Sequence, residues 1–215
     1  MKRLLLTLLL LQVPAFAHSI WIEPGPADAL VVRFGDLRVV HEESPGRLDT
    51  LLQSAANGLD ENFTATPAAV RLESAWLRLL GARAGQPALF QAQLAVYRAE
   101  NRPAVLYTYY ARWHAGTARP RTPALTLDIL PEETPGRFRV FFRGEPVAGV
   151  KVYRHGDQHN EEALLTDAGG FVNVPVQPGL NLVTAHHNEA LRGYAGGVAH
   201  DRIGHLAALS WLQPE

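Results

Sequence analysis

Apolar and polar residues alternate along most of this chain, and the alternating runs are short. Over residues 88–97, Phe90, Ala92, Leu94 and Val96 fall on one face and Gln91 and Gln93 on the other, a period of two that predicts a half-buried strand. The turn Glu100-Asn101-Arg102-Pro103 leads into residues 105–113, where Val105, Tyr107, Tyr109 and Trp113 share a face. Together the two runs predict an antiparallel hairpin. An aromatic stripe of this kind can be a ligand platform; more often it is core, which is the reading adopted.

Residues 137–143 alternate again, with Phe138, Val140 and Phe142 facing one way. Extended runs follow at 149–153, 163–166, 171–176, 180–186 and 205–212. They are divided by Gly144-Glu145-Pro146, the loop 156–160, Asp167-Ala168-Gly169-Gly170, Gln177-Pro178-Gly179 and the loop 193–197. Short strands at regular spacing between Gly/Pro turns predict a small β-sandwich.

The front of the chain is less regular. Residues 30–34 read as a strand, Gly35-Asp36 as a turn, and 38–41 as a segment pairing back. Between 45 and 61, Leu48, Leu51, Leu52 and Ala55 have helical spacing and Asn57-Gly58 supplies a stop, which predicts one short helix or a long loop. Residues 70–80 fit both periods and are assigned to strand because a hairpin follows. A short strand at 125–130 precedes Pro131-Glu132-Glu133-Thr134-Pro135-Gly136, the clearest break in the chain. The expected fold is all-β: two β-sandwich-type domains, residues 18–131 and 132–215, with at most one short helix in the first.

Residues 1–17 stand apart. Lys2 and Arg3 precede an apolar run from 4 to 11 broken only by Thr7, and Ala15 and Ala17 occupy the −3 and −1 positions. This is the pattern of a cleaved secretion signal, too short for a membrane span. Cutting after Ala17 makes His18 the mature first residue and places the protein in the periplasm or outside the cell. About 198 residues remain, enough for one large or two small domains.

That cut changes the available chemistry. A chain-internal histidine offers a metal one imidazole; an N-terminal one adds an α-amine, of pKa about 8 when unbound, that closes a chelate ring with Nδ1. Both are nitrogen donors suited to Ni(II), Co(II), Cu(II) and Zn(II). The chain has no cysteine, which excludes thiolate ligands and disulfides, and its one methionine is the initiator, which excludes a methionine-rich copper(I) site. Formal net charge is −1 with no basic or acidic block, arguing against nucleic acid or an anionic membrane as partner. No second apolar run is long enough to insert the mature chain in a membrane.

Nine histidines are present. His186 and His187 end an expected strand, where neighbours point to opposite faces, so at most one joins a given site. If strands 180–186 and 205–212 are neighbours, His186 or His187 meets His205 or His200 near one rim, with Asn188, Glu189 and Asp201 close by. His155 and His159 lie in a polar loop and read as solvated; His41, beside Glu42 and Glu43, and His114 read as structural or exposed. The candidate metal ligands are therefore His18, His186, His187 and His205.

The run Gly144-Glu145-Pro146-Val147-Ala148-Gly149-Val150-Lys151-Val152, then Thr166-Asp167-Ala168-Gly169-Gly170-Phe171, then Pro178-Gly179-Leu180 resembles the prealbumin-like or carboxypeptidase-regulatory-like module, a sandwich that hosts binding, adhesion and spacer roles. With a mature start of His18-x-x-Trp21-x-x-Pro24, and a strand ending in Pro131 before the sandwich, the chain resembles the NikM-like family of periplasmic proteins associated with nickel or cobalt uptake. The resemblance implies a two-domain β protein that binds a transition metal or helps pass it to an inner-membrane transporter, with His18 carried over as a ligand.

Three functions follow. The leading expectation is a non-enzymatic periplasmic protein binding a divalent transition metal: nickel or cobalt first, copper or zinc next. The second is an interaction or spacer module attached to an outer-membrane receptor. The third is a copper enzyme in which His18 and a second histidine hold the metal for oxidative chemistry. The chain offers neither a Gly-x-Ser-x-Gly elbow nor a His-Glu-x-x-His motif, and its paired glutamates lie in turns.

Overall fold

A computed structural model describes residues 18–37, 40–51, 54–116, 119–155 and 163–214. The expected signal segment 1–17 and His159, in the expected loop 156–160, lie outside them. The first part of the chain forms β1 (Ser19–Pro24), β2 (Ala29–Asp36), β3 (Val40–His41), β4 (Ser54–Leu59), β5 (Ala65–Leu72), β6 (Leu77–Arg83), β7 (Ala88–Gln93) and β8 (Val105–His114). There follow β9 (Leu127–Pro131), β10 (Arg137–Phe142), β11 (Glu145–Pro146), β12 (Lys151–His155), β13 (Leu164–Leu165), β14 (Phe171–Asn173), β15 (Gly179–Glu189), β16 (Gly193–Ala195), β17 (Val198–His200) and β18 (Arg202–Gln213). The fold is all-β, and the helical residues described are two 3-10 turns, Pro26–Asp28 and Arg47–Leu51.

The second turn falls where one short helix or a loop was expected. Its helical spacing lasts long enough to bury Leu48 and Leu51. Beyond it, Ser54–Leu59 is a strand rather than a helix end, because β5 and β7 pair with it on both sides and ladder bonds outweigh local spacing. Residues 70–80 contain the β5–β6 hairpin, closed by the Glu73 amide donating to the Trp76 carbonyl at 2.9 Å.

The large sheet runs in the order β1-β2-β6-β5-β4-β7-β8-β18-β15-β12-β13, with β3 added beside β2. A smaller sheet places β9 on one side of β10 and β11 and β14 on the other. Its turns obey the sequence motif. Asp167 Oδ1 accepts from the Gly169 and Phe171 amides at 2.8 and 2.9 Å, an Asx turn. Gly170 follows at φ +79°, where an added Cβ would come within 2.8 Å of the Val140 carbonyl.

Strands β8, β18 and β15 form a middle layer buried on both faces. On one face Tyr109, Ala111, Trp113 and Leu206 join Ile20, Ile22, Phe34 and Phe90 in a first core. On the other, Tyr110, Ala207, Leu209, Val183 and Ala185 pack against Ile129, Phe138 and Val140 of the smaller sheet. This explains why residues 206–212 read as a nearly unbroken apolar run: a strand covered on both sides has no polar face to alternate with. Strand β8 pairs with β18 in parallel, from Val105 opposite Arg202 to His114 opposite Trp211. The sequence break at 131–136 is the turn joining β9 to β10, and the hydrogen-bonded sheet continues across it through β8 and β18.

A buried ion pair ties β8 to β9. Arg112 donates from Nε and Nη2 to the two carboxylate oxygens of Asp128 at 2.9 and 2.5 Å. Asp128 also accepts from the amides of Ala124, Leu125 and Ile129, so both of its oxygens are satisfied within the core.

Candidate metal centre

His18 immediately precedes β1, and the pairing of Ser19 with Gly35 carries it along β2. Its ring meets Phe34 edge-on at 5.7 Å, and its Nε2 lies 2.6 Å from Oε1 of Glu42. Glu42 is placed by its own amide, which donates to the Phe34 carbonyl at 2.8 Å. The Arg47 guanidinium stands 3.5 Å from the same carboxylate oxygen. Between an imidazole and a carboxylate the hydrogen belongs to the ring nitrogen, here Nε2; in the neutral tautomer that contact selects, Nδ1 keeps its lone pair. The side chain is 25% exposed, so the ring, held between Phe34 and Glu42, is reached from the molecular surface.

His41, one residue before Glu42, takes the other face. It packs edge-on against Trp21 at 5.4 Å, and Trp21 is buried among Leu37, Leu182 and Ala208, away from the Phe34 core. His18 and His41 are close in the fold but do not converge.

The late histidines form a separate cluster. Strands β15 and β18 are neighbours, and their register sets His187 directly opposite His205, with ring centroids 6.3 Å apart. His186, one residue away, faces the opposite side, where its ring lies 5.0 Å from Tyr153. His200 is buried over Gly193 of the β16–β17 hairpin, and Asp201 instead accepts the Ala104 amide at 2.9 Å. The expected meeting of strand ends thus joins His187 to His205 and leaves His186 and His200 elsewhere.

His205 is buried and both its ring nitrogens are engaged. Nδ1 is 3.0 Å from the Tyr110 hydroxyl and Nε2 is 3.2 Å from Oε2 of Glu189. Glu189 in turn accepts twice from Arg143 Nη2, at 2.7 and 2.9 Å. A consistent proton assignment has Tyr110 donating to Nδ1 and Nε2–H donating to Glu189, with the imidazole neutral. Burial pushes the His205 pKa down, opposed by its hydrogen bond to Glu189. Burial likewise lowers His187 and raises the Tyr110 phenol. Phe142 fills the space beside both imidazoles, at 4.4 and 5.0 Å. The arrangement is a closed relay of phenol, imidazole, carboxylate and guanidinium, with no ring nitrogen of His205 left over for a ligand.

The two clusters occupy opposite faces of the middle layer. His18 lies on Phe34, which touches Tyr109 of the first core, whereas His205 stacks on Tyr110 of the second. They do not share a site. Among the described residues no group of three or more His, Asp or Glu side chains is arranged to hold a metal ion. Two partners had no sequence signal: Glu42 lies in a run that reads as solvated surface, and Tyr110 falls on the face of β8 opposite the aromatic stripe. Comparison with protein-family models, curated proteins and solved structures yields no match.

Proposed function

We propose that the mature protein binds a divalent transition metal through the α-amine and Nδ1 of His18, and that it serves metal uptake or handling in the periplasm. The reading rests on one contact, the hydrogen bond from His18 Nε2 to Glu42 at 2.6 Å. A carboxylate on the far nitrogen of a ligand histidine fixes its tautomer and orientation and raises its basicity. Here it directs the lone pair to Nδ1, the nitrogen that closes a chelate with the amine. The residues present fit such a metal: both donors are nitrogens of the class that nickel, cobalt, copper and zinc accept.

The chain's own part is to hold the ring against Phe34 and Glu42 while the remaining coordination positions stay open to water or to a partner. An open site exchanges its metal, unlike a closed structural site, and this suits handing a metal on. The resemblance of the mature start and the sandwich to the NikM-like family supports nickel or cobalt as the cargo and an inner-membrane transporter as the recipient.

Intact mass and calorimetric titration with Ni(II), Co(II), Cu(II) and Zn(II) test this on protein purified from the periplasm. Three proteins are compared: the native chain, His18→Ala, and a chain with one alanine inserted before His18, which keeps the imidazole but displaces the amine. The expected result is a mass beginning at His18, micromolar metal uptake by the native chain, and its loss in both variants. Equal uptake by all three, or a mature start elsewhere, would remove His18 from the function.

A further inference from the structure

At the far end of the smaller sheet's core lies a cavity of ≈ 540 Å³ where His114 ends β8, Pro131 ends β9 and residues 211–214 close β18. Its volume falls within the range of about 300–1,000 Å³ that small-molecule sites occupy. Phe138, Val176 and Trp211 supply an apolar wall backed by the fully buried Leu209, and the Phe138 and Trp211 rings stand 5.2 Å apart. A wall of this kind suits the flat apolar body of a ligand.

The polar groups around the cavity are unbalanced. Arg119 and Arg137 line it, with Glu132 the one carboxylate and His114 the one imidazole among its lining residues. Arg137 is occupied, its guanidinium resting 4.2 Å over the Phe171 ring. Arg119 is not. Its Nη1 donates to the Glu133 carbonyl at 3.2 Å, but its Nε is buried with no hydrogen-bond partner. A buried, unsatisfied donor on a cation is costly to leave in place, and an acceptor carrying negative charge is what it lacks. His114 reports the same field: burial, with Arg119 and Arg112 nearby, pushes its pKa down to about 4, so at neutral pH it is an uncharged ring that can donate without repelling a cation or needing a counter-ion.

We propose that this cavity binds a small organic carboxylate with a compact aromatic or aliphatic body, the body against Phe138, Val176 and Trp211 and the carboxylate on Arg119 with His114 beside it. A cationic ligand would meet two arginines against the single carboxylate of Glu132, and a neutral one could accept from Arg119 only through the weaker, uncharged hydrogen bond. The site is independent of the His18 terminus, so either can fail without the other.

The probes are 1-naphthoate and its neutral counterpart 1-naphthalenemethanol, titrated calorimetrically into the mature chain with its four tryptophans providing a parallel fluorescence signal. Saturable binding of the carboxylate is expected, with the alcohol weaker by about tenfold or more, the value of one charge-assisted hydrogen bond. Arg119→Met, which keeps the aliphatic stem, should lose the same factor for naphthoate and leave the alcohol unchanged. Val176→Trp, which fills the cavity, should abolish both. His18→Ala should bind naphthoate as the native chain does. No saturable binding of naphthoate to the native protein would overturn the proposal, as would equal affinity for acid and alcohol, which needs no variant to measure. Undiminished naphthoate binding by a folded Arg119→Met protein would overturn it as well.

Discussion

Among the described histidines, His114 is the one whose surroundings most change its chemistry. Burial and two nearby arginines hold its pKa at about 4, against about 6.5 in an unfolded chain. Well above pH 6.5, by about a unit or more, the ring is neutral in both states and contributes nothing to pH dependence. Between about 6.5 and 4 the unfolded chain takes up a proton that the folded chain refuses, so stability falls as the pH falls. His187 and His205, also lowered by burial, act in the same direction. Urea midpoints measured across that window should therefore decline towards acid, and His114→Gln should remove part of the slope while leaving the midpoint at pH 8 little changed. A slope identical in the variant would show that His114 titrates normally. At this scale the histidines themselves were legible, but their partners were not. Alternation alone allows one of His186 and His187 into a site, and only the register with β18 selects His187.

Among the elements, β8 and β9 are joined by more than packing. The Arg112–Asp128 pair is buried, at 2% and 0% side-chain exposure, and its removal would leave an uncompensated charge inside the second core. Asp128→Ala should cost about 3–5 kcal/mol, read as a fall in the urea midpoint with an unchanged m-value. The double replacement Arg112→Met with Asp128→Leu should recover much of that loss, since an apolar pair of similar volume has no charge to desolvate. A single-variant loss below about 1 kcal/mol would mean that water reaches the pair. Strand identities were largely visible beforehand, because alternation and Gly/Asp turns act within a few residues. The short helix or long loop expected between residues 45 and 61 is one 3-10 turn followed by β4, which has ladder partners on both sides.

For the molecule as a whole, the decisive feature is that one middle layer serves two cores. Strand β8, from the first half of the sequence, lies in parallel beside β18, the last strand, and each contributes side chains to both faces. The described chain should accordingly unfold in a single transition, with tryptophan fluorescence and far-UV circular dichroism giving coincident curves in urea. A fragment comprising residues 132–215 lacks β8 and β9 and would expose the edge of β18 and one side of the smaller sheet; it should fail to give a cooperative transition. Two separated transitions in the full chain, or a cooperative fragment, would show that the cores are independent.

The sequence by itself determined the all-β class, the position of most strands and the turns of the second half. Each of these depends on neighbours a few positions away, on a period of two or on the φ that glycine alone readily accepts. Only the tertiary structure decided that β8 joins β18, that Glu42 holds His18, that Asp128 neutralises Arg112, and that an unsatisfied Arg119 lines a cavity. Those are contacts between distant segments, set by sheet register and two-sided burial, and no local spacing encodes them.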